Sequence, residues 1–95
     1  MNARLIFKDK KVKHGLIIEM VIWELDAPVT GCEHRFKYRL FCGDLATGAC
    51  LVRYDNERVK GEHRHAGDRE QPYDFTSLEN LFADFESDVK EALKK

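Results

Sequence analysis

The chain has 95 residues, of which 43% are hydrophobic and 35% are charged. This balance is typical of one small globular domain and excludes a disordered chain, so we expect residues 1–95 to form a single domain. The 16 basic and 17 acidic residues nearly cancel. Residues 34–65 nevertheless carry seven basic and four acidic groups, whereas residues 66–95 carry four and eight. The basic middle segment suggests an anionic ligand.

The sequence predicts a cytoplasmic protein that makes no membrane contact. The longest apolar stretch, Leu16 to Leu25, contains Glu19 and Glu24 and is far shorter than the roughly 20 residues of a membrane-spanning helix. The N-terminal residues show no apolar region followed by a cleavage site, as a secretory signal would. The three cysteines form no C-x-x-C pair, which favours a reducing compartment.

Two strands are predicted in the N-terminal third, over residues 3–8 and 16–25, with a polar turn over residues 8–11 between them. A third strand follows over residues 34–42, because apolar and basic residues alternate there from Phe36 to Leu40. Its apolar face is formed by Phe36, Tyr38, Leu40 and Cys42. A turn precedes a fourth strand over residues 49–56. The face opposite the apolar one carries Arg35, Lys37, Arg39, Arg53 and Asp55.

The C-terminal segment predicts a helix over residues 76–93. Thr76-Ser77-Leu78-Glu79 fits a capping box, and apolar residues recur at helical spacing on one stripe. The opposite side carries Asp84, Glu86, Asp88 and Glu91. Residues 57–75 predict a long polar loop with a functional role. The predicted fold is therefore α+β: about four antiparallel strands over residues 3–56, with a C-terminal amphipathic helix packed on one face.

The densest group of reactive side chains lies between residues 54 and 65. Histidine transfers protons near neutral pH, and lysine and arginine stabilise a charged phosphorane. Cleavage of an RNA phosphodiester needs all of these functions. The predicted catalytic residues are His63, His65, Lys60 and Arg64. The predicted supporting residues are His34, Tyr54, Asp55 and Asn56. The alternative is a polar loop that is merely solvated.

The basic strand face predicts a nucleic-acid-binding surface. Its candidate residues are Arg35, Lys37, Arg39 and Arg53, and the alternative is a solvated amphipathic strand. Cys32-x-His34 and His63-x-His65 together offer four metal ligands, but their spacing is unusual for zinc. We therefore predict neither a metal nor a cofactor. Cys42 and Cys50 are predicted to be buried rather than nucleophilic.

The motifs resemble the TumE-type family, small bacterial proteins regarded as the toxin half of type II toxin–antitoxin pairs. The resemblance covers about residues 15–90, including the basic strand 34–39 and the segment 70–73. Its most specific part is Y-D-N at 54–56 followed by K-G-x-H-R-H at 60–65. The resemblance implies a cognate antitoxin, with a helix-turn-helix DNA-binding protein encoded beside the toxin as the expected form. It also implies growth inhibition through RNA.

The leading hypothesis is a toxin that acts on RNA as a metal-independent ribonuclease. The alternative is a non-catalytic module that binds a nucleic acid or a partner protein through the basic sheet face. The sequence does not decide between an enzyme and a binding protein. The apolar residues Ile17, Val21 and Trp23 are candidates for the antitoxin interface, for a homodimer contact, or for a second core layer.

Overall fold

A computed structural model describes residues 3–28, 34–57 and 61–94 of the chain. The described residues form six strands and one helix. The elements are β1 (Ala3–Lys13), β2 (Leu16–Leu25), β3 (Phe36–Asp44), β4 (Cys50–Glu57), β5 (Gly61–Ala66), β6 (Arg69–Pro72) and α1 (Leu78–Leu93). The strands form one antiparallel sheet in which each pairs with its neighbours in the sequence.

The predicted α+β class, antiparallel sheet and C-terminal helix are confirmed, but the predicted number of strands is wrong. The sheet has six strands because the segment expected to be a long loop contains β5 and β6. β1 is also longer than predicted, since it continues through the polar residues 8–11 that were expected to turn. In both places cross-strand pairing overrides a polar composition.

The β1–β2 hairpin is set by a two-residue turn. His14 and Gly15 both adopt positive φ angles, of 53° and 76°, as a tight hairpin turn with the right-handed twist of the strands requires. Lys13 therefore pairs with Leu16, and the ladder continues to Ala3 opposite Leu25 with one irregularity between Leu5 and Phe7. This register fixes which side chains of β2 face the helix.

The core lies between α1 and one face of the sheet, which we call the helix side. The alternation of β2, β3 and β4 delivers every second side chain to this face, and α1 contributes residues four positions apart. The buried residues of these elements are Leu16, Ile18, Ile22, Tyr38, Leu40, Cys42, Val52, Tyr54, Leu81, Phe85 and Val89. The opposite face of the sheet has no helix over it in the described part of the chain, and we call it the open face.

The cysteines confirm part of the prediction. Cys42 is buried in the core, whereas Cys50 is only half-buried, because the β3–β4 register shifts between Cys42 and Gly43. Burial raises the pKa of both thiols, and a protonated thiol is a poor nucleophile. Cys32 lies outside the described residues.

Helix α1 begins one residue later than the capping box predicts. Ser77, rather than Thr76, is the N-cap, and its hydroxyl accepts a hydrogen bond from the Asn80 backbone N–H at 3.0 Å. The Thr76 hydroxyl instead accepts from the Asn80 side chain at 2.8 Å. Within the residues described, no helix is long and apolar enough to cross a membrane.

Candidate functional site

The sheet register divides the predicted catalytic residues between two faces. Successive side chains of a strand point to opposite faces, so in β5 Arg64 lies on one face and His63 and His65 on the other. Arg64 contacts Asp88 of α1, which places it on the helix side. His63 and His65 therefore project from the open face. Lys60 lies outside the described residues.

The two histidines join predicted nucleic-acid-binding residues in two rows across the open face. In the first row, Asp55 of β4 is paired with Arg39 of β3 on one side and with His63 of β5 on the other. In the second row, Arg53 is paired with Phe41 and with His65. Directly opposed side chains have Cβ atoms about 5 Å apart. The open face therefore gathers two imidazoles, two guanidinium groups and one carboxylate.

Contacts between the two rows restrain the charged groups. Arg53 Nε lies 3.4 Å from Asp55 Oδ2, and the Arg39 guanidinium lies 5.3 Å from the centre of the Phe41 ring. Lys37 is paired with Trp23 of β2 in the row beside them. Aromatic rings and cations therefore lie side by side on this surface, a composition that suits base stacking and phosphate contacts.

The imidazoles of β5 differ in their surroundings. His63 Nδ1 lies 3.6 Å from Glu70 Oε1 of β6. His65 Nδ1 is buried and has no hydrogen-bond partner in the described structure. Buried polar atoms are normally paired, so an unpaired one calls for an explanation such as a catalytic role. Arg35, also predicted to bind nucleic acid, lies just before β3, where its carbonyl accepts a hydrogen bond from the Leu25 N–H at 2.8 Å.

On the helix side, Arg64 and Tyr54 fasten the sheet to α1 through Asp88. The Asp88 carboxylate accepts hydrogen bonds from Arg64 Nε at 2.7 Å, from Arg64 Nη2 at 2.6 Å and from the Tyr54 hydroxyl at 2.5 Å. Burial, and then the bond to Asp88, raise the pKa of Tyr54, and the same carboxylate raises the pKa of Arg64. Both side chains therefore lie on the face away from the histidines and contact the helix.

His34 belongs to a second cluster on the helix side. Its Nδ1 accepts a hydrogen bond from the Phe36 N–H at 3.1 Å, so the ring proton is on Nε2, which lies 2.5 Å from Glu62 Oε1. The Tyr38 hydroxyl donates to the same oxygen at 3.1 Å, and the His34 ring stacks on Phe75 with centroids 3.9 Å apart. These contacts hold the start of β3 against β5.

Asn56 is buried, and its side chain takes the place of the next backbone hydrogen-bonded pair between β3 and β4. Backbone pairing between these strands ends at Arg39 and Asp55. Beyond it, Asn56 Oδ1 accepts a hydrogen bond from the Tyr38 N–H at 2.9 Å, and Nδ2 donates to the Phe36 carbonyl at 2.5 Å. The Y-D-N motif thus sends its three side chains to three places: the core, the open face and the strand junction.

The three described ligands of the metal alternative do not come together. His34 lies on the helix side, whereas His63 and His65 lie on the open face. Cys32 is outside the described residues, and among the described ones no group of three or more histidine, cysteine or carboxylate side chains is arranged to hold a metal ion.

Sequence reasoning missed the acidic partners of these networks. Asp84 and Asp88 were expected on the solvated side of α1, but Asp84 accepts a hydrogen bond from the Tyr73 hydroxyl at 2.6 Å, and Asp88 accepts three. Each aspartate directly precedes a buried apolar residue, Phe85 or Val89. The two aspartates are four residues apart, which places both carboxylates along one side of the apolar stripe. This position beside the stripe was the sequence signal from which their contacts with the sheet could have been predicted.

A protein-family model described as Toxin TumE matches residues 2–93 of the chain. Comparison with curated proteins gives no match, and comparison with solved structures gives none either. The family match spans all seven elements of the fold.

Proposed function

Because the chain belongs to the TumE toxin family, and is thus the toxin component of a toxin–antitoxin system, we propose that it acts on RNA as a metal-independent ribonuclease. The observation that carries this proposal is the gathering of His63 and His65 with Arg39, Arg53 and Asp55 on the open face. The helix-side residue Arg64 is left out of the proposed active site, because its guanidinium is bound by Asp88.

The spacing of the histidines suits an in-line displacement at phosphorus. His63 and His65 are two residues apart in a strand, so their Cα atoms are about 7 Å apart on one face. In RNA cleavage the attacking 2′-oxygen and the leaving 5′-oxygen lie on opposite sides of the phosphorus. One neutral imidazole removes the proton from the 2′-hydroxyl, and one imidazolium gives a proton to the 5′-oxygen.

The balanced reaction needs no metal or external water. The 2′-oxygen forms a bond to phosphorus as the bond between phosphorus and the 5′-oxygen breaks. The products are a 2′,3′-cyclic phosphate and a free 5′-hydroxyl. Arg53, which is paired with His65, and Arg39, which lies beyond Asp55 in the row of His63, stabilise the charge that develops on the phosphorane oxygens. Lys37 and Trp23 extend the surface for the flanking phosphate and base.

Asp55 has a positioning role in this proposal. It lies between Arg39 and His63 in the first row, and its side chain is only 14% exposed. A carboxylate beside an imidazole orients the ring and stabilises its protonated form. Asp55→Asn is expected to change the pH profile of cleavage while it leaves RNA binding intact.

The test compares the double variant His63→Ala/His65→Ala with Lys90→Ala, a matched loss of an exposed basic side chain on the far side of α1. Wild type and Lys90→Ala are expected to cleave single-stranded RNA in the presence of EDTA and to leave a 2′,3′-cyclic phosphate. The double variant is expected to lose cleavage by at least about 100-fold, the usual contribution of general acid–base catalysis, while its circular dichroism spectrum is unchanged.

The second candidate function, a non-catalytic module that binds through the same basic face, predicts a different result. RNA binding would fall steeply with salt and would weaken in Arg39→Ala/Arg53→Ala, but wild type would release no product. Cleavage that survives in the soluble double histidine variant would overturn the ribonuclease proposal.

A further inference from the structure

The two edges of the sheet are built differently. β6 is four residues long and ends in Pro72, which has no N–H to offer to another strand. Short edge strands and proline are the usual protection against unwanted strand pairing. β1, on the other edge, is 11 residues long, and nothing in the described structure covers its outer side. One edge is closed to pairing, and the other is available.

β1 also carries most of the large hydrophobic side chains that are exposed among the described residues. Of the six large hydrophobic side chains that are exposed among the described residues, four belong to β1. These are Leu5, Ile6, Phe7 and Val12, at 39–58% of full exposure. A long exposed edge with apolar side chains is an aggregation hazard unless a partner covers it.

The hairpin geometry fixes which amides of β1 point outward. The two-residue turn makes Lys13 and Leu16 a hydrogen-bonded pair, so alternate residues of β1 from Lys13 backward bond to β2. The hydrogen bonds on the other edge of β2 are consistent with this assignment. Leu25 lies an odd number of residues from Leu16, and its N–H points away from β1 and donates to the Arg35 carbonyl just before β3. The intervening residues Lys8, Lys10 and Val12 therefore direct their N–H and C=O groups away from the sheet.

The charge of β1 selects the chemistry of the partner. The strand carries Arg4, Lys8, Lys10, Lys11 and Lys13 against the single acidic residue Asp9. Arg4 and Lys10 form ion pairs with Glu24 and Glu19 of β2. Within the described residues, Lys8, Lys11 and Lys13 form no ion pair. A second copy of the chain would bring these lysines against their own counterparts, whereas an acidic segment would neutralise them.

We propose that the antitoxin adds an acidic, extended segment to the β1 edge as a seventh strand. The outward groups of Lys8, Lys10 and Val12 supply the backbone hydrogen bonds, and the exposed apolar side chains of β1 contact alternate residues of the segment. This mode of recognition draws affinity from backbone pairing and specificity from side chains. The proposal rests on membership of the toxin family and not on the proposed ribonuclease activity.

The first test compares Lys8→Pro with Lys8→Ala. Both variants lose the lysine side chain, but only the proline variant loses the outward N–H, and proline is tolerated on an edge strand. The probe is the purified protein encoded by the antitoxin gene beside this one, titrated against each variant. Lys8→Pro is expected to bind about tenfold more weakly than Lys8→Ala, as the loss of one backbone hydrogen bond and of the neighbouring pairing implies. Equal affinity of the two variants overturns the proposal.

Backbone hydrogen exchange on the wild-type chain tests the proposal without any substitution, and it applies even if Lys8→Pro fails to fold. Antitoxin binding is expected to slow exchange at the amides of Lys8, Lys10 and Val12, and raised salt is expected to weaken the complex. Unchanged exchange of these three amides in a saturated complex overturns the proposal. Protection that appears without antitoxin, together with a dimer in gel filtration, also overturns it and identifies a second copy as the occupant. RNA cleavage enters neither test, so the two proposals can fail separately.

Discussion

Replacement of Asp88 by alanine tests whether Arg64 and Tyr54 serve packing rather than catalysis. The carboxylate accepts three hydrogen bonds at 2.5–2.7 Å, and its side chain is only 10% exposed. Asp88→Ala removes all three acceptor contacts at once. It leaves the hydroxyl of the fully buried Tyr54 without its acceptor and releases Arg64 from the helix.

The expected cost follows from these contacts. An orphaned buried hydroxyl costs about 1–3 kcal/mol. The lost guanidinium–carboxylate pair adds about 1 kcal/mol, a value close to that of surface pairs, because the Arg64 side chain is 32% exposed and can turn toward water. We expect Asp88→Ala to lower the free energy of unfolding by about 3 kcal/mol, which for a domain of this size is a decrease in Tm of about 15 °C.

Urea unfolding followed by circular dichroism measures this change. Glu86→Ala is the matched control, since Glu86 is an exposed acidic residue of the same helix that pairs with Lys90 at 3.2 Å; its loss is expected to cost at most about 0.5 kcal/mol. In a Tyr54→Phe background there is no hydroxyl to orphan, so Asp88→Ala should cost less there.

A loss below about 1 kcal/mol for Asp88→Ala would refute this reasoning. So would an Arg64→Ala variant that keeps full stability but loses RNA cleavage, because Arg64 would then act on substrate and not on the helix.

Three further predictions concern stability. Burial raises the pKa of Tyr54 and Tyr73 in the folded state. Their contribution to the free energy of unfolding is therefore complete below their unfolded pKa of about 10. It is lost as pH rises above that value, by up to about 1.4 kcal/mol per pH unit for each phenol. Urea unfolding at pH 8, 10 and 11 should show this decline, and the decline should be shallower in Tyr54→Phe/Tyr73→Phe. Asn56→Asp should destabilise the fold by at least about 2 kcal/mol, because a carboxylate cannot donate to the Phe36 carbonyl; an isoenergetic variant in urea unfolding would contradict the junction role. Ser77→Ala should lower the free energy of unfolding by about 1 kcal/mol, whereas Thr76→Ala should have less effect in the same assay.

The parts of the fold that sequence predicted are those in which side-chain polarity follows the backbone period. β3 alternates between apolar and basic residues from Phe36 to Leu40, and α1 places Leu81, Phe85 and Val89 four positions apart. β5 and β6 could not be recognised in this way. The helix-side positions of β5 include Glu62 and Arg64, which are accommodated there because partners from distant parts of the chain bind them.

One local signal for β5 and β6 was present. Gly67-Asp68 is a two-residue turn, with Gly67 at φ 62°, and glycine followed by aspartate between two short segments predicts a hairpin. Had β5 been recognised as a strand, its alternation would have separated Arg64 from His63 and His65. The candidate site was therefore predictable in composition but not in its division between two faces, which depends on the register.

The strand order of the sheet also bears on how the chain folds. Every strand pairs with its sequence neighbours, so each step of sheet formation closes only a short loop, and the entropy lost at each closure is small. The long-range step is the docking of α1. Its residue Asp88 contacts Arg64 and Tyr54, which lie 24 and 34 residues away in the sequence. If α1 docks after the main barrier, loss of the Asp88 contacts will accelerate unfolding and leave the folding rate almost unchanged. The lifetime of the folded toxin, rather than the speed at which it forms, then depends on the contacts that hold α1 on the sheet, those of Asp88 among them.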